Sequence, residues 1–173
     1  ASLGVMREMW RSGGSVAHPG GGAPMTGWPT PLRPFEVWFG GRSPAALDRT
    51  GRLADGWIGS FQTPEQTGAA RRTIEVAAER AGRSVPDDHF GVSILYARHE
   101  RTELARHVVA SLAGDGPVDE SALLPCGAEQ LAAVIAGHVE QGITKFVVGP
   151  TERPHDWADE LAWFRAATSP LER

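Results

Sequence analysis

"EVWFGGRSPAALDRTGRLADGWIGSFQTPEQ", Glu36 to Gln66, holds two short apolar runs, each followed by a punctuated turn and a helix-forming segment. Strand then helix, twice over, is the repeating unit of a parallel α/β sheet. The first run, residues 36–39, ends in Gly40-Gly41-Arg42-Ser43-Pro44. A helix is expected over 43–53, with Leu47, Thr50 and Leu53/Ala54 turned inward. The second run, 56–61, leads into Thr63-Pro64-Glu65-Gln66, a capping box. The helix it opens, 64–81, carries Ala70, Ile74, Ala77, Ala78 and Ala81 at helical spacing.

The same rhythm continues downstream. A third strand, 90–97, alternates Phe90, Val92, Ile94 and Tyr96 with Gly91, Ser93, Leu95 and Ala97, so both faces can be buried. A third helix sets Leu104, Val108 and Leu112 four apart. A breaker passage, "AGDGPVDESALLPCG", precedes an extra helix with Leu131, Val134, Ile135, His138 and Val139 on one face, and Gly142 is placed to end it. A fourth strand is expected over 143–148, and a closing helix turns Trp157, Leu161 and Phe164 inward. Four strand–helix repeats predict a parallel α/β architecture with right-handed crossovers.

Upstream, residues 11–35 are dense in Gly and Pro, which rules out a regular element for most of that stretch. It reads as a long surface excursion, with Trp28 and Val16-Ala17-His18 favouring a loop that packs over a disordered linker. Before it, Leu3, Met6 and Trp10 share a helical face, and the chain starts at Ala1 directly in that helix, as if entered midway.

Length and composition bound the rest. At 173 residues the chain suits one domain, 1–173, with a real core. A net charge of -4 gives no reason to expect nucleic acid or an anionic membrane as partner. No apolar run approaches the roughly 18 residues of a membrane span. Cys126 is alone, so neither a disulfide framework nor a cysteine metal cluster is expected, and a reducing cytoplasmic setting fits best.

In parallel α/β folds, ligands bind where strands run into helices. Of those loops, Gly40-Gly41-Arg42-Ser43 has the most specific chemistry. Two glycines allow close backbone approach, Ser43 can cap the helix and Pro44 can open it. The helix N-terminus favours an anion, and Arg42 adds a guanidinium suited to a bidentate phosphate contact. The loop is built like a phosphate cradle, though Gly-Gly-x-Ser-Pro also makes a good strand-to-helix turn with no ligand at all. Other chemistry is sparse. The six histidines form no metal spacing, and GxSxG, P-loop and GxGxxG motifs are absent. His138 reads as a core histidine, and His99 as a surface residue at a strand end. Lys145 reads as a mid-strand residue turned to a barrel interior, and Asp87-Asp88 as a solvated turn.

Residues 37–66 together with "LGVMREMW", "VAHPG" and "GAEQLAAVIAGHVEQGITKFVVGP" resemble the luciferase-like oxidoreductases. That family contains bacterial luciferase, flavin-dependent alkane monooxygenases and deazaflavin-dependent dehydrogenases. The resemblance covers nearly the whole chain, with the motifs in the family's order. It implies a TIM-type barrel whose Gly-Gly segment contacts the phosphate of FMN or of an 8-hydroxy-5-deazaflavin (coenzyme F420). Gly40, Gly41, Arg42 and Ser43 are then the cofactor-phosphate candidates. It also implies oxidation of a small organic substrate, either with O2 or by hydride transfer to the deazaflavin.

A TIM barrel needs eight strands and about 250 residues, and the strands here look like the fifth to the eighth. The first four, which in this family supply much of the cofactor pocket and several polar catalytic residues, are not in this chain, so no catalytic residue is assigned. Two expectations follow: an enzyme half completed by an N-terminal half-barrel, or a non-catalytic half-barrel that self-associates and binds a phosphate-bearing ligand or a protein. Both leave sheet edges open, and both predict a homodimer or a complex with an N-terminal half.

Overall fold

The computed structural model describes residues 2–18, 20–27, 30–113 and 119–171. The chain divides into two compact units, residues 1–37 and 38–173. In the first, α1 (Ser2–Ser12) is followed by a minimal antiparallel hairpin, β1 (Ser15–Val16) with β2 (Met25–Thr26). Trp10 meets Phe35 edge-on at 5.5 Å. The Gly/Pro-rich passage thus holds four strand residues, and Trp28 lies outside the described residues.

The second unit runs β3 (Trp38–Gly40), α2 (Pro44–Leu53), β4 (Gly56–Ser60), α3 (Pro64–Arg80), β5 (Phe90–Tyr96), α4 (Glu103–Ala113), α5 (Glu120–Leu123), α6 (Gly127–Glu140), β6 (Lys145–Pro150) and α7 (Trp157–Thr168). Its four strands pair in sequential order, β3-β4-β5-β6, and every pairing is parallel. The expected architecture is therefore present. No helix among the described residues is long and apolar enough to cross a membrane.

One face of the sheet carries the core. Trp57, Phe90, Val92, Ile94 and Tyr96 pack there against Leu47, Ala70, Ile74, Leu131 and Ile135 from the helices. The opposite face is lined by Trp38, Ile58, Ser93, Leu95, Lys145 and Val147, and Val147 is 59% exposed. Trp38 lies flat across this face at the N-terminal ends of the strands. A Cβ on Gly56 would stand 2.5 Å from its indole and 2.9 Å from the His89 carbonyl, and one on Gly91 would stand 3.5 Å from the same ring. Glycine at 56 makes room for the tryptophan, whereas at Gly91 the nearest neighbours are the Lys145 Cβ and carbonyl at 3.2 and 3.3 Å.

Helix ends follow the local chemistry. Thr63 and Gln66 form the reciprocal capping box at the start of α3. Gly142, at φ +80°, closes α6 in a Schellman arrangement: its N–H bonds to Val139, and that of Ile143 to His138. This is why the last strand starts at Lys145 and not at residue 143. Ile143 is consumed in ending the helix and is buried in the core. The first strand likewise begins at Trp38 and not at 36, because β4 offers its first partner at Gly56.

Two helices face differently from the sequence expectation. On α4 the inward residues are Ala105 and Val109, which join Leu123 and Leu124 in a small separate core touched by Phe61 and Leu95. Leu104, Val108 and Leu112 are exposed. On α7, Trp157 and Leu161 are exposed, while Glu160 and Ala167 are buried and Phe164 packs at the core's edge. Leu53, Ala81 and Val139 also end up outward at the margins of their faces. The α4–α5 excursion leaves and rejoins the sheet at one place: the Ala97 N–H bonds to Pro125, and the Gly127 N–H to Ala97.

Candidate functional site

All four β-to-α loops open at the C-terminal ends of the strands. The first turn is held by three devices. Gly41 adopts φ +103°, and a Cβ there would press on Ala46 at 3.0 Å. Its carbonyl accepts a hydrogen bond of 3.0 Å from the Trp57 indole. Ser43, extended at φ -67° and ψ 150°, caps α2 by accepting from the Ala46 N–H at 3.3 Å, with Pro44 first in the helix. No acidic residue stands in the first turn of α2 to neutralise the helix dipole. Arg42 is exposed and makes no ion pair with the described residues. Gly40, Gly41, Arg42 and Ser43 are thus contiguous and exposed around one capped N-terminus, an arrangement able to accept an anion.

The other sequence candidates do not converge on it. His138 is buried between α6 and α3, with Nδ1 3.0 Å from the Thr67 hydroxyl, which itself donates to the Pro64 carbonyl. Burial pushes its pKa down to about 4, against a weaker opposing pull from Glu65. It is a satisfied core histidine. His99 is exposed. Lys145 opens β6 on the face opposite the helices, half exposed and 3.7 Å from Asp88, at the end of the strands away from the loops. Among the described residues no group of three metal-ligating side chains forms.

A second polar cluster was not foreseen. At the C-terminal ends of β5 and β6 an open cleft of about 720 Å³ is lined by Tyr96, Arg98, His99, Arg153, His155 and Glu160, among others. The Tyr96 hydroxyl donates to Glu160 at 2.6 Å. Arg98 bridges Asp159 at 2.6 Å and Glu160 at 3.0 Å and lies over the Trp163 ring. Burial, and then the bond to Glu160, holds the Tyr96 phenol well above its usual range, and Asp159 foremost raises Arg98. The cluster fastens the start of α7 to the end of β5. The partners lie more than 60 residues apart in sequence, which hides it from any local pattern.

Sequential parallel strands, core-packed helices on one face and loops gathered at the strands' C-terminal ends define part of a TIM-type barrel. Residues 2–165 match the luciferase-like monooxygenases, and the chain belongs to that family. Solved structures agree on the fold. An F420-dependent secondary alcohol dehydrogenase in complex with an F420-acetone adduct superposes with a TM-score of 0.72 at 16% identity, over 99% of this chain and 60% of that one. The coenzyme F420-dependent tetrahydromethanopterin reductase from Methanopyrus kandleri gives 0.63 at 15% identity, over 98% of this chain and 61% of its own. The monooxygenase RslO1 from Streptomyces bottropensis gives 0.64 at 17%, over 99% and 60%. The chain thus spans about 60% of the length of these structures. A comparison with curated proteins found no match.

Proposed function

We propose that this chain is the cofactor-phosphate-binding part of a luciferase-like oxidoreductase. It would use FMN or a deazaflavin, coenzyme F420, to oxidise a small organic substrate in the cytoplasm. The observation that carries the reading is the capped N-terminus of α2 behind a glycine turn, with Arg42 exposed beside it and in no ion pair among the described residues. In this reading Gly40 and Gly41 give backbone access, Ser43 holds the helix end open to the phosphate, and Arg42 supplies the charge. When bound, the cofactor supplies the redox chemistry, and the protein orients it. Turnover draws on an N-terminal half-barrel that completes the site.

The test is a fluorescence titration with FMN, riboflavin and coenzyme F420. A hydrogen bond to a charged group is worth about 1.5–3 kcal/mol, so Arg42→Ala should weaken binding of the phosphate-bearing cofactor by about one to two orders of magnitude. Riboflavin, which lacks the phosphate, should bind both proteins alike. Wild-type protein that fails to distinguish FMN from riboflavin, and gains nothing from coenzyme F420, would overturn the reading.

A second reading, a self-associating half-barrel that binds without turnover, is favoured by the sheet itself. Beyond β6 no further strand pairs among the described residues, and Val147 and Lys145 stand exposed on the face opposite the helices. An unpaired strand edge beside exposed apolar surface invites association. Light scattering on the purified chain at micromolar concentration should show a homodimer or larger species, or a heterocomplex once an N-terminal half-barrel is supplied. A compact, stable monomer would refute the association.

A further inference from the structure

Both edges of the four-strand sheet are open. Among the described residues no strand pairs with β3 on the side away from β4, or with β6 on the side away from β5. Beside β6, on the helix side of the sheet, lies an apolar groove of about 430 Å³ lined by Ile135, Val139, Phe146, Val148, Phe164 and Leu171. Val139 in that groove is 53% exposed, and Val147 on the opposite face of the same strand is 59% exposed. An open edge with apolar surface on both of its faces is a place for another strand.

The register of the sheet tells which strand fits. Gly40, Ile58, Gly91 and Lys145 form one row across the four strands. A closed eight-stranded barrel staggers by about eight residues per circuit. Two copies of this sheet related by a two-fold axis share that stagger, about four residues each. The row that ends at Lys145 then continues in the second copy at Glu36 or at Pro44, on one side or the other of Gly40. Pro44 already lies in α2 and has no strand to offer. The other choice sets Lys145 level with Glu36, Val147 with Trp38 and Val148 with Phe39. The even stagger also matches the two faces. Trp38 and Val147 both belong to the open face, whereas Phe39 is level with the core residue Trp57 and Val148 packs at the core's edge. A basic residue meets an acidic one, an indole covers an exposed valine, and a phenyl ring arrives beside the groove.

We infer that the occupant of the β6 edge is β3 of a second copy of this chain, paired in parallel with Val147 opposite Trp38 and with Phe39 seated in the groove. The two-fold axis repeats the contact, so one partner closes both edges and completes an eight-stranded barrel. This rests on the self-association reading and adds to it the surface and the register. The opposite charges of Lys145 and Glu36 at one level favour the same chain over an unrelated strand.

The experiment is disulfide trapping in the 173-residue chain, with its lone cysteine removed by Cys126→Ser. Phe39→Cys with Val148→Cys places two thiols level across the inferred contact. Within one copy these positions lie on the first and last strands of the sheet. That separation is about 14 Å, too far for a disulfide, so a covalent dimer reports contact between copies. Phe39→Cys with Phe146→Cys is the control, out of register by one pleat of the same strand. Mild oxidation should give a covalent dimer with the first pair and little with the second. Val147→Lys alters a residue that is exposed in the single copy, so circular dichroism should be unchanged. Its dimer dissociation constant, from sedimentation, should rise about a hundredfold, because the lost burial occurs twice in each dimer. A dimer trapped by neither pair, or by both alike, or one that tolerates Val147→Lys, overturns the inference and leaves self-association standing. A chain that stays monomeric, or that associates only with an N-terminal half-barrel, overturns both.

Discussion

Glu160→Ala should lower the stability of the fold by about 2–3 kcal/mol, measured as a shift in urea midpoint at constant slope. Glu160 sits on α7 with 7% of its side chain exposed, accepting from Tyr96 through one oxygen and from Arg98 through the other. Truncation leaves the Tyr96 hydroxyl, in a residue that is 3% exposed, without an acceptor. It also removes one of the two carboxylates that hold Arg98. The effect should fall below that of a fully buried ion pair because Arg98 is 24% exposed and keeps Asp159. Glu160→Gln retains an acceptor for the phenol and should cost much less. Equal losses for Ala and Gln would mean that packing of the stem, and not hydrogen bonding, holds the start of α7 in place.

The second large effect is on pH dependence. An unfolded histidine titrates near 6.5, whereas His138 in the fold is held near 4 by its burial between α6 and α3. Between those values the unfolded chain binds a proton that the folded chain refuses. Stability therefore falls with falling pH from about 6.5 to about 4, by about 3 kcal/mol in all, and this residue takes no more below that. The charge of Glu65 on α3 opposes the depression more weakly than burial drives it. His138→Gln removes the titration and preserves a polar contact for Thr67. Carboxylates titrate in part of the same range, so the measurement is the difference between the two proteins at pH 7.5, 6 and 5. Parallel curves would show that His138 is not held neutral.

Local chemistry made part of this legible in the sequence. Thr63-Pro64-Glu65-Gln66 reads as a capping box and is one, because both partners lie within a single turn. Gly142 reads as a helix terminator for the same reason. Ser43 reads as a cap, and the structure gives it that geometry. What failed to show depended on distant partners. Trp157 and Leu161 have the spacing of a buried stripe, yet α7 turns its other side inward because Tyr96 and Arg98, from another strand's end, receive Glu160. On α4 the large residues look like the contact face. The neighbouring element is a short helix whose Leu123 and Leu124 leave room only for Ala105 and Val109. The glycine turn itself was legible, and its occupant was not, since one turn serves equally for capping a helix and for receiving a phosphate.

The tryptophan that lies flat across the open face has a consequence for how such a chain can change over generations. Residues 38 and 56 form a coupled pair, because the indole occupies the space that a side chain on Gly56 would need, whereas the tightest neighbours of a Cβ at Gly91 belong to Lys145. Effects at sites in direct contact do not add. A methyl at position 56 meets both the indole at 2.5 Å and the His89 carbonyl at 2.9 Å, and a small residue 38 removes the first clash while the second remains. Descent away from this arrangement therefore has a preferred order, with residue 38 shrinking before Gly56 acquires a side chain. The reverse order passes through an intermediate that carries both clashes at once.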